Sequence, residues 1–268
     1  SGGALQYGIG GEAMRRAGFS AWRDISALSV RGYVEVLKKL PGILKLRHDL
    51  IARAKADRPR VFVGVDAPDF NLGVEAALRR TGLKTVHFVS PSIWAWRPER
   101  INAVREAADL VLLVFPFEQA IYDRAGIPAV YVGHPMAAGI PMQPDAAAAR
   151  ARLGVSAGGP VIALLPGSRY DEIRWNAPVF LATARELLKS ESGALFLLPA
   201  AGDERRLQIA ALLSRFPDVA ARTRVFSGRS HDVLEACDAA LIASGTATLE
   251  AALYKKPMVV SYKMPAVT

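Results

Sequence analysis

Two short motifs in the second half of the chain combine glycine, hydroxyl and charged side chains in an order suited to phosphate binding. The first, LPGSR, supplies Gly167, Ser168 and Arg169 directly after the apolar run VIALL. Glycine at a strand end lets the backbone approach a ligand, a helix start offers free N–H groups to an anion, and arginine adds a two-pronged cationic contact. We expect Ser168 to cap the following helix. An ordinary strand-to-helix turn with a surface arginine would have the same sequence, so both interpretations stay open.

The second motif, SGTATLE, follows the apolar run AALIA and has the same layout. Ser244, Gly245 and Thr246 stand where a helix should begin, with Ser244 or Thr246 as the predicted N-cap. Glu250 lies about one turn further on, where its carboxylate can accept paired hydrogen bonds from vicinal ribose hydroxyls while the helix start faces a diphosphate. A solvent-facing glutamate is the alternative. Two such motifs in one half of the chain favour a nucleoside diphosphate ligand.

A carboxylate, Asp66, ends another apolar run in the motif GVDAPDF. Sheet enzymes place reactive groups at such strand ends, and an acid in a partly dry position can act as a general base toward a sugar hydroxyl. We expect Pro68 to hold the following chain out of a helix and Asp69 to cap a helix beginning near Phe70. The alternative is that loop amides satisfy the Asp66 carboxylate.

Two large aromatic residues, Trp94 and Trp96, precede Arg97 in SPSIWAWR, after a further predicted strand. Tryptophans are mostly buried, so these either plug a face between two domains or line an acceptor pocket with Arg97. His134 in VGHP follows the last predicted strand of the N-terminal half and either contacts substrate or has a structural role. The histidines and the single cysteine, Cys237, show no metal-ligand spacing such as HExxH. We therefore expect neither a metal site nor another cofactor, and a buried Cys237.

Segment 30–47, VRGYVEVLKKLPGILKLR, alternates apolar and cationic residues on opposite faces and contains Pro41 and Gly42. A helix lying in a membrane interface, broken at Pro41 and Gly42, has this pattern. Its candidate membrane contacts are Val34, Leu37, Leu40, Ile43 and Leu44. A helix pair covering the core of an N-terminal domain would show the same spacing. Because no apolar run reaches about 18 residues, we expect no membrane-spanning helix.

The elements that must position these motifs alternate from residue 60 onward between short β-branched runs and helical patterns, which is typical of parallel sheets covered on both faces. The predicted strands are 61–65, 85–89, 110–115, 130–132, 161–165, 194–198, 224–226, 239–243 and 258–262. A stretch of prolines and small residues at 137–149 predicts a linker between an N-terminal domain, 1–136, and a C-terminal domain, 150–268. We expect an α/β fold of two Rossmann-like domains that face a cleft, with ligands outside the carboxyl ends of the strands.

Composition and charge narrow the class of partner. The chain has 268 residues, 51% of them hydrophobic, and a net charge of +9, which predict a folded protein that favours an anionic partner. A basic nucleic-acid-binding protein is the alternative from another class. We expect no nucleic acid, because the cations are dispersed over helices rather than interleaved with stacking aromatics.

The motifs GVDAPDF, SPSIWAWR, VGHP, LPGSR and SGTATLE, in this order, resemble the lipid-A-disaccharide synthase family, and SVRGYVEVL fits its hydrophobic N-terminal patch. The resemblance implies a GT-B fold and a metal-independent, inverting transfer of 2,3-diacylglucosamine from its UDP conjugate to 2,3-diacylglucosamine 1-phosphate. The products would be a β-1,6 disaccharide for lipid A and UDP. It also implies that Asp66 is the catalytic acid or base, and that Arg169 and Glu250 belong to donor-binding motifs.

The same resemblance implies a peripheral protein on the cytoplasmic surface of the inner membrane of a Gram-negative bacterium, with UDP-diacylglucosamine and a lipid-linked sugar phosphate as partners. The full-length form is expected to be a homodimer. The family has a first strand before, and helices after, the region present here, so we expect truncation at both ends. Arg31 departs from the apolar patch. Because their donor halves look alike, another GT-B UDP-N-acetylglucosamine transferase or a UDP-sugar epimerase is the nearest alternative.

Overall fold

The structure, a computed structural model, describes residues 5–28, 33–156 and 158–263, without the side chains of residues 33–38. The chain forms two compact units, Ser1–His134 and Pro135–Thr268. Each unit is built on its own parallel sheet.

The first unit opens with elements that the sequence interpretation did not include. A two-stranded parallel sheet pairs β1 (Tyr7–Gly10) with β2 (Ser20–Asp24), and α1 (Glu12–Arg16) connects them. A 3-10 turn at Ile25–Leu28 follows. The strands were missed because both are short and mix glycine and polar residues with few β-branched ones.

Helix α2 (Tyr33–Asp57) is one continuous helix of 25 residues that runs through Pro41, so the predicted break at Pro41 and Gly42 is wrong. Proline removes one backbone hydrogen bond, and packing further along the helix compensates for that loss. Leu46, Leu50 and Ala54 recur every four residues and are buried against the next helix. Among the described residues, no helix combines the length and the apolar character needed to cross a membrane.

The main sheet of the first unit contains four parallel strands in the order β3-β4-β5-β6. It confirms the first four predicted strands. The strands and the helices that connect or flank them are β3 (Val61–Val65), α3 (Pro68–Arg79), β4 (Lys84–Phe88), α4 (Arg100–Ala107), β5 (Leu110–Leu113), a 3-10 turn at Pro116–Glu118, α5 (Gln119–Ala125) and β6 (Ala129–Tyr131). Phe70, Val74 and Leu78 face α2, while Val104 and Tyr122 belong to a second buried cluster around β5.

The second unit contains five parallel strands in the order β11-β10-β7-β8-β9, which confirms the remaining five predicted strands. Its elements are α6 (Pro135–Gly139), α7 (Ala146–Leu153), β7 (Val161–Leu165), α8 (Tyr170–Ser190), β8 (Leu195–Ala200), α9 (Asp203–Leu213), α10 (Pro217–Ala220), β9 (Thr223–Ser227), α11 (Ser230–Ala236), β10 (Ala239–Ala243), α12 (Thr246–Leu253) and β11 (Met258–Ser261). The α/β fold class is confirmed.

Helices bury both faces of the β7 strand. Ile173, Ala177 and Leu181 recur every four residues along α8 and pack with Leu164 on one side of the sheet. On the other side, Ala163 packs in a separate cluster. Each fully buried leucine or isoleucine stabilises the fold by roughly 1.5–3 kcal/mol.

The stretch 137–149, predicted as a linker, contains part of α6 and the first residues of α7 in the second unit. Asp145 caps α7 by accepting a hydrogen bond from the Ala148 N–H at 2.9 Å. Arg152, near the end of α7, pairs with Asp232 of α11 at 2.9 Å, so α7 is tied to the core of this unit.

Cys237 provides a test of this core. Its thiol is fully buried, and burial raises its pKa to about 11. We expect iodoacetamide at pH 8 to label Cys237 at least about a hundredfold more slowly in the folded protein than in urea, because both thiolate population and access are lost on folding. A Cys237→Ser variant should remain unlabelled in both states. Rapid labelling of the native protein would contradict the buried placement.

Candidate functional site

The loops that follow β3, β4, β5 and β6 lie at one edge of the first sheet, because parallel strands place their carboxyl ends together. Two backbone hydrogen bonds connect neighbouring strand ends: Asp66 N–H donates to the Phe88 carbonyl at 2.8 Å, and Val89 N–H donates to the Leu112 carbonyl at 3.1 Å. The structure thus brings the motifs GVDAPDF, SPSIWAWR and VGHP to a common edge.

Asp66 stands in a turn of uncommon geometry. Asp66 and Ala67 have φ angles of +50° and +42°, in the left-handed region that residues other than glycine rarely adopt. The Asn71 side-chain amide holds this turn by donating to the carbonyls of Val65 at 3.1 Å and Asp66 at 2.8 Å. Such strain costs about 1–3 kcal/mol per residue and concentrates at functional sites. The sequence predicted a partly dry position for Asp66, and this prediction is wrong, because Asp66 is exposed.

Two local expectations at this turn are wrong. Pro68 does not keep the chain out of a helix but is the first residue of α3, where its missing N–H is not needed. The N-cap of α3 is Ala67, without a side-chain cap, so Asp69 does not cap a helix near Phe70. Asp69 instead pairs with Arg100 at 2.5 Å.

A buried pair of a carboxylate and an imidazole packs against the end of β3. Glu75 Oε1 lies 2.8 Å from His87 Nδ1, and both side chains are fully buried. Gly64, the penultimate residue of β3, leaves the space that the Glu75 carboxylate occupies: a Cβ atom at position 64 would lie 1.9 Å from Glu75 Oε1. The glycine in GVD was the only signal of this close approach.

A row of four rings crosses the loops after β4, β5 and β6. Trp94 meets Phe117 edge-on with ring centroids 5.2 Å apart, Phe117 stacks on Phe115 at 5.5 Å, and Phe115 lies 5.6 Å from His134. Trp94 and Phe117 are each 51% exposed. Of the rings in this row, the sequence interpretation had selected Trp94 and His134.

Trp96 lies outside the ring row and contacts two arginine side chains. The Arg97 guanidinium lies 4.3 Å from its ring centroid and that of Arg100 lies at 5.5 Å, both within the range of cation–π attraction. Arg97 has a φ angle of +54°, which makes it another left-handed residue at this edge. Arg97 and the Trp96 ring are exposed.

Glu118, which the sequence interpretation missed, belongs to the turn FPFE, which also contains Phe115 and Phe117 of the ring row. Only 1% of its surface is exposed, and its Oε2 accepts the Phe115 N–H at 3.2 Å. Burial raises the pKa of the Glu118 carboxyl, and the hydrogen bond from the Phe115 N–H acts against that rise. A signal was available, because an acid three residues after a turn's first residue is the spacing of a carboxylate that accepts backbone N–H groups.

In the second unit, LPGSR follows β7 as predicted, but Ser168 does not cap α8. The N-cap is Arg169, and the carboxylate of Glu172 accepts the N–H groups of Ser168 at 3.0 Å and Arg169 at 3.2 Å. Arg169 Nη1 also lies 3.0 Å from Glu172 Oε1. Gly167 has a φ of +123°, and a Cβ atom there would lie 2.5 Å from Glu172 Cβ. The helix start therefore holds an internal carboxylate at its free amides.

SGTATLE lies beside LPGSR at the same edge of the second sheet. β10 pairs with β7 in parallel, with Ile242 opposite Leu165, so the two loops leave adjacent strand ends. The predicted N-caps are wrong: Gly245 is the N-cap of α12 and lacks a side-chain cap, while Ser244 and Thr246 are exposed. The Thr248 hydroxyl does not act as a cap either, because it donates to the Gly245 carbonyl at 2.7 Å.

Glu250 is part of a small polar cluster behind this loop. Its side chain is 18% exposed, and its Oε1 lies 3.7 Å from His231 Nε2. The other ring nitrogen of His231 lies 3.3 Å from the Tyr254 hydroxyl. Desolvation raises the pKa of Tyr254.

The candidate membrane contacts on α2 differ in how exposed their side chains are. Leu40 and Leu44, one turn apart, are 40% and 44% exposed, whereas Ile43 packs against the core of the first unit. The side chains of Val34 and Leu37 lie outside the described residues. In the described part of the chain, no group of three or more histidine, cysteine, aspartate or glutamate side chains is arranged to hold a metal ion.

A family model and individual relatives of known name point to the same family. The family model described as Lipid-A-disaccharide synthetase matches residues 3–268. A lipid-A-disaccharide synthase from Bordetella petrii is 52% identical over 262 residues, covering 95% of this chain and 67% of that protein. Another from Thiobacillus denitrificans is 51% identical over 266 residues, covering 99% of this chain and 70% of the relative.

Two solved structures share the fold at low identity. The MnaA–UDP co-structure from S. aureus matches with a TM-score of 0.61 and 12% identity, covering 97% of this chain and 80% of its own. UDP-GlcNAc 2-epimerase from Neisseria meningitidis bound to UDP-GlcNAc matches with a TM-score of 0.58 and 11% identity, covering 96% and 82%. These similarities support the predicted GT-B fold class.

The close approach at Gly64 can be tested by substitution. Gly64→Ala should lower the free energy of unfolding by roughly 1–3 kcal/mol, because the buried Glu75 carboxylate cannot move aside without leaving His87. Gly42→Ala is the matched control in the same unit, since a Cβ there meets nothing within 4 Å. Urea unfolding measures both. Equal stability of the two variants would contradict the packing described for Glu75.

Proposed function

This chain belongs to the lipid-A-disaccharide synthetase family, and we propose that it transfers 2,3-diacylglucosamine from its UDP conjugate to 2,3-diacylglucosamine 1-phosphate. The transfer inverts the anomeric centre and forms the β-1,6 disaccharide of lipid A together with UDP. The observation that carries the proposal is the identity of 52% to a lipid-A-disaccharide synthase across nearly the whole chain. The positions of the five motifs at the carboxyl ends of parallel strands support it.

We infer that the second unit binds the donor. Arg169 and the starts of α8 and α12 supply positive charge and dipoles at adjacent strand ends, where they can stabilise the charge that builds on a leaving diphosphate. One well-placed donor of this kind contributes roughly 3 kcal/mol to a transition state. Gly167, Ser168, Ser244, Gly245 and Thr246 form the backbone and hydroxyl lining, and Glu250 is assigned to the ribose hydroxyls.

Glu172 occupies the helix start at which we propose that the diphosphate binds. Its carboxylate occupies the Ser168 and Arg169 N–H groups, so a phosphate at the same amides has to displace it. Arg169 can follow the phosphate because its side chain is 56% exposed. The binding step is thus an exchange of one anion for another at the same helix start.

We assign Asp66 as the general base. Its carboxylate takes the proton of the acceptor 6-hydroxyl as that oxygen attacks the anomeric carbon, and the bond to UDP breaks on the opposite face. The left-handed turn held by Asn71 presents Asp66 beyond the end of β3. Trp94, Trp96, Arg97 and His134 at the same edge are assigned to the acceptor pocket, with aromatic surface for its apolar parts and a cation for its phosphate.

A UDP-sugar epimerase or another UDP-N-acetylglucosamine transferase gains no support beyond the shared fold. The similarity to the UDP-GlcNAc 2-epimerase structure from Neisseria meningitidis is only 11% in sequence. A nucleic-acid-binding role likewise has no supporting feature among the described residues.

Because both proposed substrates are acylated, we also propose that the protein works on the cytoplasmic surface of the inner membrane. Leu40 and Leu44 project from one face of α2, and the cationic residues of segment 30–47 suit an anionic lipid surface. Ile43, which packs inward, attaches the helix to its own unit.

Replacement of Asp66 tests the catalytic assignment. Asp66→Asn should lower kcat by roughly 10²–10⁴-fold, because a general base contributes about that factor, and should leave the affinity for UDP unchanged. Disaccharide formation from labelled UDP-diacylglucosamine measures turnover, and calorimetry measures UDP binding. Glu106→Gln, an exposed acid on α4 of the same unit, is the control and should keep full turnover. Unchanged turnover in Asp66→Asn would reject the assignment.

Replacement of the exposed leucines tests the membrane surface. The double variant Leu40→Ser/Leu44→Ser should bind vesicles that contain anionic lipid at least about tenfold more weakly, since each leucine loses apolar contact. Leu207→Ser removes a leucine that is 63% exposed in the second unit and should leave vesicle binding unchanged. Cosedimentation with vesicles compares the variants. Equal binding by wild type and the double variant would exclude this face.

A further inference from the structure

The backbone of the Asp66 turn is tied to two neighbouring elements. The Asp66 N–H donates to the Phe88 carbonyl, at the end of β4, at 2.8 Å. The Asp66 carbonyl accepts from the side-chain amide of Asn71, in the first turn of α3, also at 2.8 Å. Because a left-handed aspartate costs free energy, these contacts rather than local preference keep the turn in shape. The placement of the Asp66 carboxylate therefore depends on where β4 and α3 stand.

A buried contact joins the same two elements. Glu75 lies one helical turn after Asn71 on α3, and its Oε1 is 2.8 Å from Nδ1 of His87 on β4. Both side chains are fully buried, and His87 directly precedes the residue whose carbonyl accepts the Asp66 N–H. Gly64 makes room for this arrangement, since a Cβ atom there would meet the Glu75 carboxylate and lie 3.1 Å from Asn71 Cβ. The pair thus connects α3 to β4 next to both contacts of the turn.

Stability alone is a poor reason for this pair. Taking a carboxylate and an imidazole out of water costs free energy, and apolar side chains of similar volume often stabilise a core as well or better. Within the described ranges, Glu75 Oε2 and His87 Nε2 are buried without a hydrogen-bond partner, which adds to the cost. A hydrogen bond fixes a distance and a direction, whereas apolar contact is non-directional. The pair is therefore suited to fixing α3 against β4 in one position.

We propose that Glu75 and His87 are positioning residues for the general base Asp66. Their contact fixes α3 against β4, so that Asn71 holds the turn in the shape that presents the Asp66 carboxylate to the acceptor 6-hydroxyl. This inference rests on the proposed function. Both side chains are fully buried and do not touch the reacting atoms. Because a displacement of about 1 Å can lower a rate about 10²-fold, the pair acts on kcat and not on the KM of either substrate.

A paired apolar replacement tests the proposal in the whole protein. Glu75→Met together with His87→Leu removes both polar groups at once, so no buried charge is left unpaired and Tm should not fall by more than about 5 °C. The kcat should fall at least about tenfold, because apolar packing does not fix the position of α3. The KM for the donor and the KM for the acceptor should stay unchanged. Disaccharide formation from labelled UDP-diacylglucosamine measures these constants, and thermal unfolding measures Tm.

The Asp66→Asn background separates positioning from general damage. Because that variant lacks the base, the paired replacement should not lower its residual turnover further. Effects on kcat that multiply would overturn the proposal, as would an unchanged kcat in the paired variant or an equal rise of both KM values. Asn71→Ala should also lower kcat at least about tenfold, and the paired replacement should add nothing to that loss, because the pair acts through Asn71.

Thr85→Val is the matched control. Thr85 lies two residues before His87 on β4, is fully buried, and donates from its hydroxyl to the Ala107 carbonyl at 2.7 Å. The variant removes a buried hydrogen bond from the same strand without touching the contacts of the Asp66 turn. It should lower Tm and keep the kcat of the unmodified protein. A loss of kcat in Thr85→Val as large as that in the paired variant would overturn the proposal.

The remaining outcomes are distinguishable. Should the paired variant fail to fold, Asn71→Ala decides the question, since Asn71 is only half-buried. An unchanged kcat in Asn71→Ala then overturns the proposal, and a loss of kcat that is absent in the Asp66→Asn background supports it. If the unmodified protein forms no disaccharide, or if Asp66→Asn keeps full turnover, the proposed function or its base assignment fails and the inference fails with it. If both of those hold and the paired variant keeps its kcat, only the inference fails.

Discussion

Parallel pairing of neighbouring strands is the constraint on which the other features depend. In the second unit, the pairing of β10 with β7 places SGTATLE beside LPGSR although about 80 residues separate them in the chain. In the first unit, the pairing of β3 with β4 places the Asp66 turn beside the loop that carries Trp94. Helices can bury both faces of such a sheet, so its polar groups collect at the strand ends, and loops there carry the chemistry.

Internal carboxylates organise these loops. Glu118 and Glu172 each accept backbone N–H groups at the start of a turn or helix, and Glu75 fills the space next to Gly64. Glu118 and Glu172 thus satisfy free backbone N–H groups that would otherwise need water or an anion. The two differ in burial: Glu118 is enclosed and closes the turn that begins at Phe115, whereas Glu172 lies at a partly exposed helix start, where we propose that a phosphate displaces it.

Helix α2 illustrates how two interpretations of one sequence pattern can coexist. Leu46, Leu50 and Ala54 lie on the core face of α2, so this helix covers its own unit. Leu40 and Leu44, in the first half of α2, remain exposed, so the same helix also has an apolar surface. An amphipathic pattern of period 3.6 cannot distinguish these uses, because both require one apolar stripe beside cationic residues.

The sequence by itself determined the α/β class, the strands from Val61 onward and the motifs at their ends, because β-branched runs and glycine turns are local signals. It did not determine the caps: Ala67, Arg169 and Gly245 precede the helices where Asp69, Ser168 and Thr246 or Ser244 had been expected. It also missed β1, β2, Glu75 and Glu118. Only the tertiary structure decided these features, because a carboxylate's hydrogen-bond partners depend on which loops meet in space. The contact between Glu75 and His87 joins α3 to β4, and no local pattern encodes it.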